Sequence, residues 1–132
     1  MDEIRVITWT VSDDGLELLP EAPQFGGVQG EENAALVRFA IGESCPLAQP
    51  EYSLYIEAVD ATGAWDRTDR LSIEDGYVSY MVPLAWTQHG GHTTLRLQAE
   101  RDGQNVYTLA GVLRFDNRAT AARGRMTVFR TL

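Results

Sequence analysis

Apolar and polar residues alternate along several short stretches of the chain, most regularly from Thr93 to Glu100. There leucine and alanine share one face, while threonine, arginine, glutamine and glutamate share the other. A period of two is what a strand with one dry face and one wet face requires. The turn pairs Asp75-Gly76 and Asp102-Gly103 bracket this stretch, so we predict a meander of consecutive antiparallel strands between Asp75 and Asp116.

The same pattern predicts further strands upstream, ending at turn signals rich in glycine, proline and aspartate. The predicted strands are Ile4–Val11, Leu16–Leu19, Asn33–Ile41, Glu51–Asp60 and the beginning of Trp65–Ile73. The core-facing residues expected in the two middle strands are Ala35, Val37, Phe39, Ile41, Leu54, Ile56 and Ala58. The stretch 21–32 contains proline and three glycines, and we predict a surface loop there. Strands about ten residues apart are typical of sandwiches, so we predict an all-β, Ig-like antiparallel β-sandwich of seven to eight strands.

The last residues of the chain differ in character from the predicted sandwich. Asn117 suits the N-cap of a single helical turn, and Gly124 suits its C-terminal stop. Arg125–Thr131 is rich in β-branched and aromatic residues, which favours a strand. We therefore predict a sandwich over residues 1–116 and an Arg-rich C-terminal tail over residues 117–132, with an extra strand in the tail.

Length and charge restrict the classes of function. A chain of 132 residues is sized for one domain with a real core, and its 44% apolar content is ordinary for a globular protein. The net charge of −8 argues against nucleic acid as a partner, because such domains normally carry a basic face. The charge is uneven: residues 1–60 hold twelve acids and two arginines, whereas residues 114–132 hold one acid and five arginines.

All eleven basic residues are arginine, and the sequence contains no lysine. Arginine is weakly hydrated and binds carboxylates with a planar fork, so this choice suits interfaces. A GC-rich genome would produce the same bias without any function. Both explanations stay open at the level of the sequence.

The cysteine and the chain start indicate the compartment. Cys45 is the single cysteine, so an intrachain disulfide is excluded, and its neighbours do not favour a reactive thiolate. The first residues lack the basic and apolar regions of a signal peptide, and no apolar run reaches the roughly 18 residues of a membrane span. We expect cytoplasmic synthesis, no signal peptide and no membrane partner.

Two groups of residues suggest chemistry but fit it poorly. His89 and His92 flank two glycines in one loop, yet a metal site needs three or four ligands, so a turn is the better interpretation. A cluster of acids is interleaved with Arg67 and Arg70 and fits a solvated ion-paired face better than a calcium loop or an acid–base pair; its members are Asp66, Asp69, Glu74 and Asp75. Nucleophile-elbow and phosphate-loop motifs do not occur in the sequence. We predict a protein that is not an enzyme and has no metal and no cofactor.

Aromatic residues offer a second, different function. Tyr55 with Tyr77, or Trp86 in its loop, would be suited to stack on a saccharide if the rings shared one exposed face. This alternative is a carbohydrate-binding or adhesive β-sandwich module. The competing interpretation places the aromatic residues in the core or at the rim of the sandwich.

The order of turns and strands resembles a known family. Asp75-Gly76-x-Val78-x-Tyr80 is followed by a glycine-containing loop, an alternating strand, Asp102-Gly103 and a strand ending at Phe115. Upstream, Gly30–Asn33 precedes a strand and then Pro46-Leu47. Over residues 28–116 this order is similar to the Ig-like N-terminal domain of phage upper baseplate proteins and related prophage tail proteins. The chain departs from that family in its longer 21–30 loop and in its short tail.

The resemblance implies assembly instead of catalysis. On it we base the prediction of a structural protein of a phage or prophage tail, virion-associated, which binds copies of itself or other tail proteins. The residues predicted to contact a partner all lie in the tail and are Arg118, Arg123, Arg125, Met126, Val128, Phe129 and Arg130. Strand-like residues 125–132 would add to a sheet edge of a neighbour. Their arginines would meet acids such as Glu17, Glu21, Glu31 or Glu32. The competing interpretation, which the sequence leaves open, is that the tail packs on its own domain or frays.

Overall fold

The computed structural model of the protein describes residues 3–118, which form a β-sandwich of two sheets. The strands are β1 Arg5–Val11, β2 Leu18–Leu19, β3 Gln24–Val28, β4 Ala35–Ala40, β5 Ser53–Val59, β6 Trp65–Arg67, β7 Tyr77–Met81, β8 Gly91–Arg101 and β9 Gln104–Asp116. A 3₁₀ turn at Pro46–Ala48 and a short helix α1 at Leu84–Thr87 complete the described elements. The all-β sandwich predicted from the sequence is confirmed. No helix within this range is long and apolar enough to cross a membrane.

The two sheets contain nine strands in the described range, where the sequence pattern predicted seven to eight. One sheet has the order β2-β1-β4-β7 and the other has the order β3-β9-β8-β5-β6. The strand that the sequence pattern did not predict is β3, whereas the short β2 and β6 lie inside the predicted stretches Leu16–Leu19 and Trp65–Ile73.

The alternation of apolar residues becomes burial, as expected for strands with one face toward a core. All seven residues predicted to face inward from β4 and β5 and their ends are buried. Trp9 is fully buried, stacks on Phe39 with ring centroids 5.4 Å apart, and lies against Gly111 of the opposite sheet. The Trp9 indole therefore brings the four-stranded sheet into close contact with β9 of the other sheet.

The sandwich is not purely antiparallel, which corrects the prediction from sequence. β1 pairs with β4 in parallel, and β3 pairs with β9 in parallel. The chain leaves β1 through β2, crosses to the other sheet for β3, and returns to pair β4 beside β1 in the same direction. Strand direction depends on such crossings, whereas hydrophobic alternation is the same for both directions.

The predicted meander from Asp75 to Asp116 is wrong in its first strand. β7 pairs with β4 in the four-stranded sheet. Of the three strands of the predicted meander, β8 and β9 alone pair with each other, in a hairpin that turns at Asp102-Gly103. Pro83 and α1 lie between β7 and β8 and carry the chain from one sheet to the other. The buried side chain of Trp86 anchors that crossing.

The stretch predicted to be a surface loop contains β3. Two glycines, Gly26 and Gly27, sit in the middle of this strand and are buried. A Cβ on Gly26 would lie 2.7 Å from the Phe115 ring, so glycine is what lets β3 pair closely with β9. Glycine has no side chain to alternate, and the strand is therefore invisible to the pattern.

Candidate interaction surfaces

The two histidines are not assembled into a metal site. His89 Nδ1 lies 2.6 Å from Asp60 Oδ2, and His92 is exposed at the start of β8. Between residues 3 and 118 no group of three or more His, Cys, Asp or Glu side chains is placed to hold a metal ion. His89 therefore contacts a carboxylate of the turn beside it.

Asp60 organises that turn and is buried. Its Oδ1 accepts hydrogen bonds from the Thr62 hydroxyl at 2.6 Å, the Thr62 N–H at 2.9 Å and the Ala64 N–H at 3.0 Å. The Thr62 hydroxyl, together with His89 and the two N–H groups, lowers the pKa of Asp60 well below its ordinary value, although burial opposes the shift. The carboxylate thus fixes the connection between β5 and β6.

Stability should therefore depend on pH through Asp60. The pKa of Asp60 is lower in the folded chain than its ordinary value of 3.8. The carboxylate therefore makes its full contribution to the stability of the fold at pH values above 3.8. The contribution is lost as the pH falls below it toward the folded pKa. Replacing Asp60 by Asn should lower the urea midpoint most at neutral pH, and the gap to the parent should narrow below about pH 4. A gap of constant size from pH 7 to pH 3 would contradict the assignment.

The acids around the middle strands are dispersed among different partners. Asp66 Oδ2 accepts a hydrogen bond from the buried Trp86 indole at 2.8 Å. Arg67 pairs at 2.6 Å with Glu100 of β8, so its partner lies outside the predicted cluster. Glu57 of β5 pairs with Arg96 of β8 at 2.7 Å. The two ion pairs tie strands of the five-stranded sheet together across its outer face.

The aromatic residues proposed for saccharide binding do not share a face. Trp86 is 1% exposed and packs on Tyr80 with centroids 5.3 Å apart. Tyr55 lies under the Arg67 guanidinium in one sheet, and Tyr77 lies under that of Arg38 in the other. The platform that the carbohydrate alternative requires is not formed by these side chains.

The edge of β3 is closed by two charged side chains. Arg5 Nη1 donates to the Gly26 carbonyl at 3.0 Å, and Glu31 Oε1 accepts from the Val28 N–H at 2.6 Å. Arg5 and Glu31 are also 3.8 Å apart as an ion pair, with the Arg5 guanidinium 4.9 Å from the Phe25 ring centre. Side chains here take the place of a neighbouring strand, a protection that sequence reasoning missed because its residues lie 26 positions apart.

The edge of β7 is partly occupied by the segment that precedes it. Glu74 and Tyr77 exchange both backbone hydrogen bonds, at 2.8 and 3.0 Å. A shallow groove of about 210 Å³ follows, lined by residues of both charges that include Arg70, Glu74 and Ser79. This edge has mixed charge.

Among the residues predicted to contact a partner, the structure describes Arg118. Its N–H donates to Gln29 Oε1 at 3.2 Å, and its guanidinium lies beside Gly30. The other six, Arg123, Arg125, Met126, Val128, Phe129 and Arg130, lie outside the described residues. Of the acids expected to meet them, Glu17, Glu21 and Glu32 are exposed, whereas Glu31 is engaged by Arg5 and Val28.

Fold and surface together define an all-β sandwich domain that presents ion-paired sheet faces and strand edges. Neither a protein-family model nor a curated protein sequence matches the chain. Among solved structures, the chain is similar to the N-terminal domain of ORF48 of phage TP901-1. The similarity covers 88% of this chain and 99% of that chain, with 11% sequence identity and a TM-score of 0.52. The resemblance inferred from the turn and strand order is thus confirmed at the level of the fold.

Proposed function

We propose that the protein is a non-catalytic structural component of a phage or prophage tail, acting through protein–protein contacts. The observation that carries this proposal is the similarity of the sandwich to the N-terminal domain of phage TP901-1 ORF48 over 88% of the chain. The sequence resemblance to baseplate-type tail proteins, drawn from separate turn and strand motifs, agrees with it. A role in assembly also fits the surface, which offers strand edges and charged faces.

Charge separation along the chain gives the proposed contact its physical basis. Residues 114–132 hold five arginines and one acid, while residues 1–60 hold twelve acids and two arginines. The planar arginine fork binds carboxylates through two hydrogen bonds and suits ion pairs at protein interfaces. We propose that the tail of one copy binds an acidic surface of a neighbouring subunit, with Arg125–Leu132 adding a strand.

Reversing the charge of the tail should weaken this contact. The double variant Arg125→Glu, Arg130→Glu should self-associate at least about tenfold more weakly, because it places acids against acids. Sedimentation at several protein concentrations measures the change, and added salt should weaken the parent protein in the same direction. The matched control is Arg70→Glu, Arg101→Glu, which makes an equal change of charge on the sandwich. Equal association of the parent and the tail variant would remove the electrostatic basis of the proposal.

Composition of tail particles tests the function itself. Quantitative mass spectrometry of purified particles from the organism that carries the gene should find the protein at a fixed copy number relative to other tail proteins. Deleting the gene should leave tails incomplete in electron micrographs. Particles that lack the protein and form normally without it would contradict the structural role.

A further inference from the structure

Part of β1 lies at the edge of its sheet, where none of the strands described between residues 3 and 118 lies beside it. β1 pairs with β4 from Arg5 to Thr10, but on its other side it pairs with β2 at Thr10 and Val11 only. Pro20 follows β2 directly, and since proline has no N–H to continue a ladder, the chain turns away there toward β3. Within residues 3–118, no strand pairs with the beginning of β1 on this side.

Two residues of this edge have backbone groups that point outward. In a parallel pair, alternate residues bond to the neighbouring strand, and the residues between them point the other way. The Arg5 N–H donates to the Ala34 carbonyl at 3.0 Å, so Arg5, Ile7 and Trp9 bond toward β4. The N–H and C=O groups of Val6 and Thr8 consequently point to the open side. We call residues 4–8, with residues 16–21 continuing the line, the β1 edge.

The β1 edge is unusually apolar for an exposed surface. Four of the eight exposed large apolar side chains of residues 3–118 belong to it: Ile4 at 48%, Val6 at 50%, Leu16 at 66% and Leu19 at 45%. Exposed apolar side chains along an unpaired strand are a template for strand addition, which proteins usually block with lysine or a covering loop. Arg5 and Glu31 block the β3 edge by bonding its backbone groups, and the residues from 3 to 118 form no such pair at the β1 edge.

Exposed acidic residues lie within the β1 edge or next to it along the chain. They are Glu3, Asp13, Asp14, Glu17 and Glu21. The single base of residues 3–21, Arg5, is drawn away to the Gly26 carbonyl and Glu31. An occupant should therefore be basic, extended and partly apolar, which excludes a second copy of the same acidic edge.

We infer that the β1 edge receives residues 125–132 of a second copy of this chain as an added strand. That segment reads Arg-Met-Thr-Val-Phe-Arg-Thr-Leu, with two arginines, no acid and several β-branched or aromatic residues. In extended form Met126 and Val128 share a face and suit the apolar side chains of Ile4 and Val6. Its arginines match the acids at the rim. This inference rests on the proposed function and specifies its contact surface.

Such a contact is heterologous, since it joins the tail of a first copy to the β1 edge of a second copy. The tail of the second copy stays free to bind a third. Contacts of this kind build closed rings or open filaments, depending on the rotation between copies. The edge and the tail are separate parts of the chain, so each can be blocked alone.

The test uses full-length protein and light scattering on a sizing column. Val6→Lys places a cation at the open edge, and Val106→Lys makes the same change at a comparably exposed site, 43% against 50%, near the β8–β9 turn. The parent and Val106→Lys should form the same oligomer, while Val6→Lys should be monomeric at concentrations at least about tenfold higher. Equal melting temperatures of the two variants, measured at a concentration at which both are monomeric, establish that Val6→Lys is folded.

A mixing experiment then separates a second copy from the chain's own tail. Val6→Lys keeps an intact tail, and Arg125→Glu, Arg130→Glu keeps an intact edge, so the two should form a one-to-one complex although each is monomeric alone. A mixture that stays monomeric, an oligomer that persists in Val6→Lys, or a monomeric parent would each overturn the inference. The presence of the protein in tail particles is decided separately, so the proposed function can stand if the inference fails.

Discussion

Replacing Trp86 by alanine should destabilise the protein by about 3–5 kcal/mol, the usual cost of deleting a buried tryptophan. Its indole is 1% exposed, packs on Tyr80 and donates to Asp66 at 2.8 Å. The change leaves a cavity, and it removes the N–H group that donates a hydrogen bond to the Asp66 carboxylate. Urea denaturation followed by far-ultraviolet circular dichroism measures the loss.

The matched control for Trp86 is Trp65, which is 61% exposed at the edge strand β6. Trp65→Ala should change the free energy of unfolding by less than about 1 kcal/mol, as surface substitutions do. If Trp86→Ala were as stable as Trp65→Ala, the anchoring role of Trp86 in the crossing from β7 to β8 would be wrong. The saccharide-stacking role proposed from the sequence would then return.

A single methyl group at Gly111 should cost roughly 1–3 kcal/mol, because it overpacks the contact between the sheets. A Cβ at this position would lie 2.8 Å from Trp9 Cε2 and 2.9 Å from its Nε1. Trp9 is fully buried and stacked on Phe39, so it has little room to move away. Denaturant unfolding of Gly111→Ala against the parent measures the effect.

Gly42→Ala is the control for Gly111→Ala, since the added Cβ would find its nearest neighbour, Asp13 Oδ1, at 4.0 Å. We expect its stability to stay within about 0.5 kcal/mol of the parent. Equal stability of the two alanine variants would show that the sheets are not held as closely at Trp9 as the structure indicates.

The strands with regular alternation could be predicted from the sequence because their information is local. β4, β5 and β8 each place apolar residues at every second position, and these residues are buried. β3 was not predicted because Gly26 and Gly27 have no side chains and so show no alternation. Glycine is required at these positions because a Cβ would collide with the distant Phe115 ring or with the Arg5–Glu31 pair. Local periodicity cannot report a residue whose partner is far along the chain.

Pairing between strands is the part of the fold that alternation leaves undetermined. The turn at Asp75-Gly76 was correctly placed before a strand, yet that strand pairs with β4 of the other sheet. Which sheet a strand joins depends on the buried Trp86 and on where α1 directs the chain. The β1 edge could not be predicted for the same reason. Alternation placed Ile4 and Val6 in a strand, but that strand has an open edge because β2 pairs with β1 only at Thr10 and Val11.

The tail remains a prediction from the sequence, apart from its first two residues, Asn117 and Arg118, which the structure describes. The position of Arg118 beside Gln29 and Gly30 places the exit of the chain at the end of the sandwich where β3 and β9 finish. The proposed assembly joins this basic segment to the acidic, apolar β1 edge. In this proposal each copy binds one neighbour through its basic tail and another neighbour through its acidic β1 edge.

The solution mass of the full-length protein and of a chain ending at Asn117 tests this account most directly. Light scattering on a sizing column should give a defined oligomer for the full-length protein and a monomer for the shortened one. The shortened chain keeps every described strand, so its loss of association would belong to the tail. The same mass for both proteins would contradict assembly through the C-terminal tail.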